Sequence, residues 1–238
     1  MRRTRQDNAD MVDAVEAVDW DSFPGPADYY RPAAAREGLR SIARARGRLE
    51  AASAASRLAG GGIIHDHSGT VLPSAVSATP FLLQIAQTSD SAVQEAALEL
   101  IEDALNFRPS PGFFRTQDEV RLCCAIADHV HVHRPALGRL GHRSRALIST
   151  AQEHWRIDIQ ETCDDGADLL AFGTVAGTVA GTPQAAELHT DSGIALLSTM
   201  TVEYPPVGGH GQICVRITDL KLPEFHPKAT LYKADCGE

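Results

Sequence analysis

Two short runs of this 238-residue chain put histidines at ligand spacing, Ile63-Ile64-His65-Asp66-His67 and His129-Val130-His131-Val132-His133. In an extended segment residues two apart face the same side, so His65 and His67 could share one divalent ion. Such an ion would lower the pKa of a bound water and make a hydrolytic nucleophile. On a helix His129 and His133 share a face and could add two more nitrogens. A joint site of His65, His67, His129 and His133 would describe a metal-dependent hydrolase, the alternative reading of the chain. The rest of that pattern is missing. No Glu stands between His129 and His133 in the H-E-x-x-H manner. A metal barrel that opens on H-x-H needs a longer chain of alternating strands and helices. The plainer account leaves His65 and His67 in a polar loop or cap. It puts His129 and His133 at a helix C-terminus, where cationic imidazole suits the dipole. No cofactor is expected on this account.

Other residues of chemical interest are ordinary. Glu102-Asp103 and Asp164-Asp165 are adjacent acids that diverge on a helix, unlike a glycosidase pair. Cys123-Cys124 stands in an apolar helical pattern, where buried inert thiols are expected. No nucleophile elbow, phosphate loop or dinucleotide fingerprint is present. Gly208-Gly209-His210-Gly211 is a lone glycine-rich turn.

The elements that would position these residues are mostly helical in pattern. Val93, Ala96, Ala97, Leu100, Ile101, Ala104 and Leu105 make one apolar stripe at three- and four-residue spacing. Ser91-x-x-Gln94 and Thr116-x-x-Glu119 read as helix caps. Residues 32–59 are Ala- and Arg-rich and helical in character, ended by Gly60-Gly61-Gly62. Pro135 is expected to open a helix from Arg134 to about Trp155. Gly173, Gly177 and Gly181 recur every fourth residue, a spacing that fits helix contacts or a β-like linker. After about Thr190 the character changes. Ile194–Tyr204 and Gln212–Leu220 hold β-formers, with a hairpin loop between them. The three lysines, Lys221, Lys228 and Lys233, all lie in this last part.

Composition narrows the function classes. A net charge of −9 argues against general nucleic-acid binding, which needs a basic surface. No run approaches the length of a membrane span, so no membrane partner is expected. Five cysteines in no paired framework suit a reducing, cytoplasmic setting. Against the acidic background, residues 36–57 hold six Arg and two Glu. Arg36, Arg40, Arg44 and Arg48 step by four and would line one helical face. A solvated face is the plainer account; the sharper one is a docking strip for an acidic partner, because guanidinium forks pair well with carboxylates.

Three motifs carry a resemblance: W-D-S-F at Trp20–Phe23, H-S-G-T at His67–Thr70 and P-x-A-V-x-A-T-P-F-L-L at Pro73–Leu83. Over about residues 19–107 the chain resembles bacterial HEAT-like α-solenoid proteins, most uncharacterised and some immunity-like. The resemblance implies binding by a helical surface and brings no catalytic residues.

The expectation is a mainly α fold. A flexible N-terminus covers 1–18, HEAT-like stacked helical hairpins cover 19–190, and a small β appendage covers 191–238. The expected role is non-enzymatic binding of another protein, in the manner of an immunity or adaptor protein, through the Arg36/Arg40/Arg44/Arg48 strip.

Overall fold

The computed structural model describes residues 5–206, 211–218 and 229–237. The chain divides into two compact units, Met1–Thr150 with Gly237–Glu238, and Ala151–Cys236.

The first unit is helical. Helix α1 (Arg5–Glu16) buries Met11, Val12 and Val15, so much of the segment expected to be flexible is a packed helix. A 3-10 turn, Trp20–Ser22, follows. Trp20 is fully buried and its indole N–H donates to Val15 O at 2.8 Å, which satisfies its one polar atom. Helix α2 (Pro32–Arg44) starts on a proline whose missing N–H costs nothing there, and buries Ala35, Leu39, Ile42 and Ala43. Helix α3 (Arg48–Ala59) follows, with Gly47 at φ 112 before it.

The glycine triplet then reverses the chain. Gly61 has φ 108, its N–H donates to Ile64 O, and its carbonyl accepts from Arg31 N–H. Only glycine fits, because a Cβ would strike the Tyr29 carbonyl oxygen.

Three two-residue strands form a small sheet. They are β1 (Ile64–His65), β2 (Thr70–Val71) and β3 (Arg108–Pro109). Strand β1 pairs antiparallel with β2, and β2 pairs parallel with β3, placing Thr70 opposite Arg108. Asp66–Ser68 form a 3-10 turn between β1 and β2.

Helix α4 (Ser74–Thr88) tolerates Pro80 inside it, and Ser74 Oγ donates to Gly62 O at 2.8 Å. Helix α5 (Ser91–Asn106) buries the apolar stripe. Its cap is Asp90 rather than Ser91: the carboxylate accepts N–H from Ala92 and Val93, each at 3.1 Å. Helix α6 (Leu122–Leu137) runs through Pro135, which sits in its last turn. Helix α7 (His142–Gln152) is separate, so no helix spans Arg134 to Trp155.

The second unit corrects the expected fold class. It is a closed barrel, not a small β appendage on an α-solenoid. Its strands are β4 (Arg156–Asp165), β5 (Asp168–Ala176), β6 (Gln184–Thr190), β7 (Gly193–Tyr204), β8 (Gly211–Thr218) and β9 (Thr230–Lys233). The order is β4-β5-β8-β7-β6-β9, and β9 closes on β4 with Arg156 opposite Tyr232. Ile157, Ile159, Leu169, Ala171, Val175, Ile213, Val215 and Ile217 alternate inward and fill the core. Closure leaves this barrel no free sheet edge among the described residues.

The G-x-x-x-G run is part of this barrel rather than a helix contact. Gly173 lies in β5 against the backbone of Asp158, and Gly177, at φ 89, turns beside Trp155. Within Gly208-Gly209-His210-Gly211, residues 208–210 lie outside the described residues, as do Lys221 and Lys228.

Candidate partner-binding site

The segment from Phe107 to Arg121 leaves α5 and reaches α6 without forming a helix. Arg108 is fixed first, by the parallel pairing of β3 with β2 and by its N–H on Gly69 O at 3.1 Å. Ser110-Pro111-Gly112-Phe113 then turns. Pro111 suits the second position, Gly112 supplies φ 85 at the third, and Phe113 N–H closes on Ser110 O at 2.9 Å. The buried Ser110 hydroxyl accepts from Tyr29 Oη at 2.9 Å and ties the turn to the start of α2.

Beyond this turn Arg115 and Arg121 stand opposite each other in an antiparallel bridge. The loop they enclose is held by Thr116 N–H on Val120 O and by Val120 N–H on the Thr116 hydroxyl. Thr116-x-x-Glu119 is therefore a hairpin loop, not the helix cap expected from its spacing; α6 begins only at Leu122. Glu119 adopts φ 62, and among the described residues no other non-glycine has a positive φ. Its carbonyl accepts from Arg115 Nη1 at 2.6 Å, so the unfavourable backbone holds that guanidinium in place. A left-handed residue of this type costs on the order of 1 kcal/mol.

A cavity of about 320 Å³ is lined by Arg108, Pro109, Pro111, Phe114, Arg115 and Arg121 of this segment and by Gly237. Phe114 is 49% exposed. Three arginines among proline and phenylalanine line it, and guanidinium N–H groups can donate to carboxylates that carry an apolar neighbour. On the other side of the loop lies a second groove of about 280 Å³. Phe23, Pro24, Pro73 and Val76 line it together with Arg115–Asp118. Phe23 belongs to the W-D-S-F motif and rests near Trp20, with ring centroids 5.8 Å apart. Pro73 and Val76 begin the Pro73–Leu83 motif.

The residues singled out from sequence lie elsewhere. The arginine strip does not form one face: α2 ends at Arg44, and Arg48 begins α3. Arg40 pairs with Glu16 at 2.8 Å and Arg36 with Asp21 at 3.1 Å, so half of the strip is engaged within the chain.

His65 stacks on Tyr29, ring centroids 4.5 Å apart, and its Nδ1 lies 2.7 Å from Ser68 Oγ. His67 is exposed, and its ring centroid lies 5.9 Å from that of His65. His129 and His133 share α6. Burial, and then the neighbouring His133, push the His129 pKa down. His133 Nδ1 accepts from Gln87 Nε2 at 3.0 Å. Among the described residues, no three of His65, His67, His129 and His133 bring ligand atoms together for one metal. The acids Glu102 and Asp103 are half-buried rather than fully solvated. Glu102 pairs with Arg143 at 3.0 Å, and burial with nearby Glu99, Glu102 and Asp66 raises the Asp103 pKa.

In the barrel unit, His154 Nδ1 lies 3.3 Å from Cys236 Sγ, an imidazole and a thiol of the types that hold soft cations. On its outer face Arg216 binds Glu203 at 2.6 Å, Asp165 at 2.7 Å and Asp168 at 3.2 Å, and these bonds raise its pKa.

The sequence reading missed Arg108, Arg115 and Arg121. The signal was R-P-S-P-G-F-F-R, where a proline–glycine turn lies between two arginines and next to two phenylalanines. No family model, no curated protein and no solved structure matches this chain.

No helix among the described residues is long and apolar enough to cross a membrane.

Proposed function

We propose that this chain works by binding another protein, as an immunity or adaptor protein does, and that it recognises an acidic segment carrying an aromatic or aliphatic residue. The observation that carries this reading is the Arg115–Arg121 bridge, whose two arginines line one cavity together with Arg108. Arginines opposite each other across a strand pair bring two forked donors to one place, and such forks pair well with a carboxylate. The adjoining groove of Phe23, Pro24, Pro73 and Val76 supplies apolar contact beside the charges, the mixture found in interface cores and their rims. Charge complementarity here is local, since the protein as a whole is acidic. A cytoplasmic setting fits five cysteines of which none is in a disulfide.

The test is titration of the full chain with a glutamate-rich peptide carrying one phenylalanine. Saturable binding at low salt that weakens as salt rises supports the reading. Absence of binding at low salt, with the protein folded, contradicts it.

A further inference from the structure

His154 and Cys236 are 82 residues apart in sequence and meet at one end of the barrel. The register explains the meeting. Arg156 of β4 pairs with Tyr232 of β9, so the residues just before β4 and just after β9 share that end. His154 is fixed by its N–H on Ala151 O at 3.0 Å and by its neighbour Trp155, which is buried with its indole N–H on Gln184 Oε1 at 3.2 Å. Cys236 lies in the turn that follows β9 and is buried.

A thiol is a weak hydrogen-bond donor, and little is gained from burying one against an imidazole. The same two atoms are strong zinc ligands. In a tetrahedral site with Zn–S near 2.3 Å and Zn–N near 2.0–2.1 Å, sulfur and nitrogen stand about 3.6 Å apart. The observed 3.3 Å separation is within a few tenths of an ångström of that edge.

We propose that His154 Nδ1 and Cys236 Sγ are two ligands of a structural zinc-class cation that pins this end of the barrel. On binding, the Cys236 S–H bond breaks, the sulfur–metal bond forms and the proton passes to solvent. Neither electron transfer nor a second reactant is involved. A closed structural site takes four ligands. His154 and Cys236 supply two of the four. The proposal does not rest on the protein-binding reading.

The experiment is metal analysis of the full, untagged chain after purification in zinc-containing buffer and desalting. About one zinc per chain is expected, as for a closed structural site. His154→Ala and Cys236→Ser should each bring it to background, while His67→Ala and His133→Ala should keep it.

If either ligand variant fails to fold, the wild-type chain decides. Chelation should lower its Tm and open Cys236 to alkylation, mapped by mass spectrometry, and zinc should reverse both. A wild-type chain that takes up no zinc, or one that keeps it in both His154→Ala and Cys236→Ser, overturns the proposal. So does Cys236 alkylation that is indifferent to zinc.

Discussion

Arg115 and Arg121 face each other across a one-pair antiparallel bridge, and a strained residue, Glu119, holds the first of them from within the loop they enclose. That register brings two arginines, the residue type whose fork pairs best with a carboxylate, to one place on the loop.

Gly61 is a sharp test of how the first unit is built. Its φ of 108 and the closeness of the Tyr29 carbonyl leave no room for a side chain. Gly61→Ala should destabilise the protein by more than about 1 kcal/mol, read as a fall in urea midpoint with the slope unchanged. Gly112→Ala, where φ is 85 but nothing lies within 4 Å, should cost less.

The cap of α5 can be removed without touching the core. Asp90→Ala deletes an acceptor for two N–H groups and should cost roughly 1 kcal/mol. For a chain of this size that is a Tm decrease of about 2–4 °C. Ser91→Ala, at the position the sequence pattern favoured, should be close to neutral.

These two cases show where the sequence was legible. The stripe Val93–Leu105 is local, strong and periodic, and its residues are buried as expected except Ala96, which is half-exposed. Asp90 was missed because Ser91-x-x-Gln94 offers the same pattern one residue later. The barrel was missed for a different reason. Its inward positions include Ala171, Gly173 and Ala186, which are too small to mark an alternation against polar neighbours. Its closure joins residues far apart, such as Leu188 with Leu231, and no local period encodes that. The arginine site has the same character. Arg108 reaches Arg115 and Arg121 only through the pairing of β3 with β2 and the Ser110–Phe113 turn.

Alkaline stability should depend on Tyr30. Burial raises its pKa to about 12, a hydrogen bond with Ser74 opposes the shift, and nearby Asp21 adds to it. A folded pKa above the unfolded one means that the contribution is complete below about pH 10 and is lost as pH rises towards about 12. Chemical denaturation between pH 9 and 11 should show stability falling over that window. Tyr30→Phe should flatten the fall while losing about 1 kcal/mol at neutral pH, from the hydrogen bond to Trp20 O.

Acid stability should depend on His129. Its folded pKa is depressed by burial and by His133, so its contribution is complete above about pH 6.5 and is lost as pH falls through the depressed value. Thermal melts from pH 7.5 down to 5 should show a declining Tm, with a shallower decline in His129→Gln. An equal slope in both proteins would remove His129 as the cause.

The central claim is that Arg108, Arg115 and Arg121, rather than the strip of Arg36, Arg40, Arg44 and Arg48, receive an acidic partner. The most direct measurement compares two charge reversals, Arg108→Glu/Arg121→Glu and Arg44→Glu/Arg48→Glu, for affinity towards the same glutamate-rich peptide at low salt. The account predicts a loss of tenfold or more, about 1.4 kcal/mol, in the first pair and near-wild-type affinity in the second. Equal affinity in the first pair, or the larger loss in the second, would contradict it.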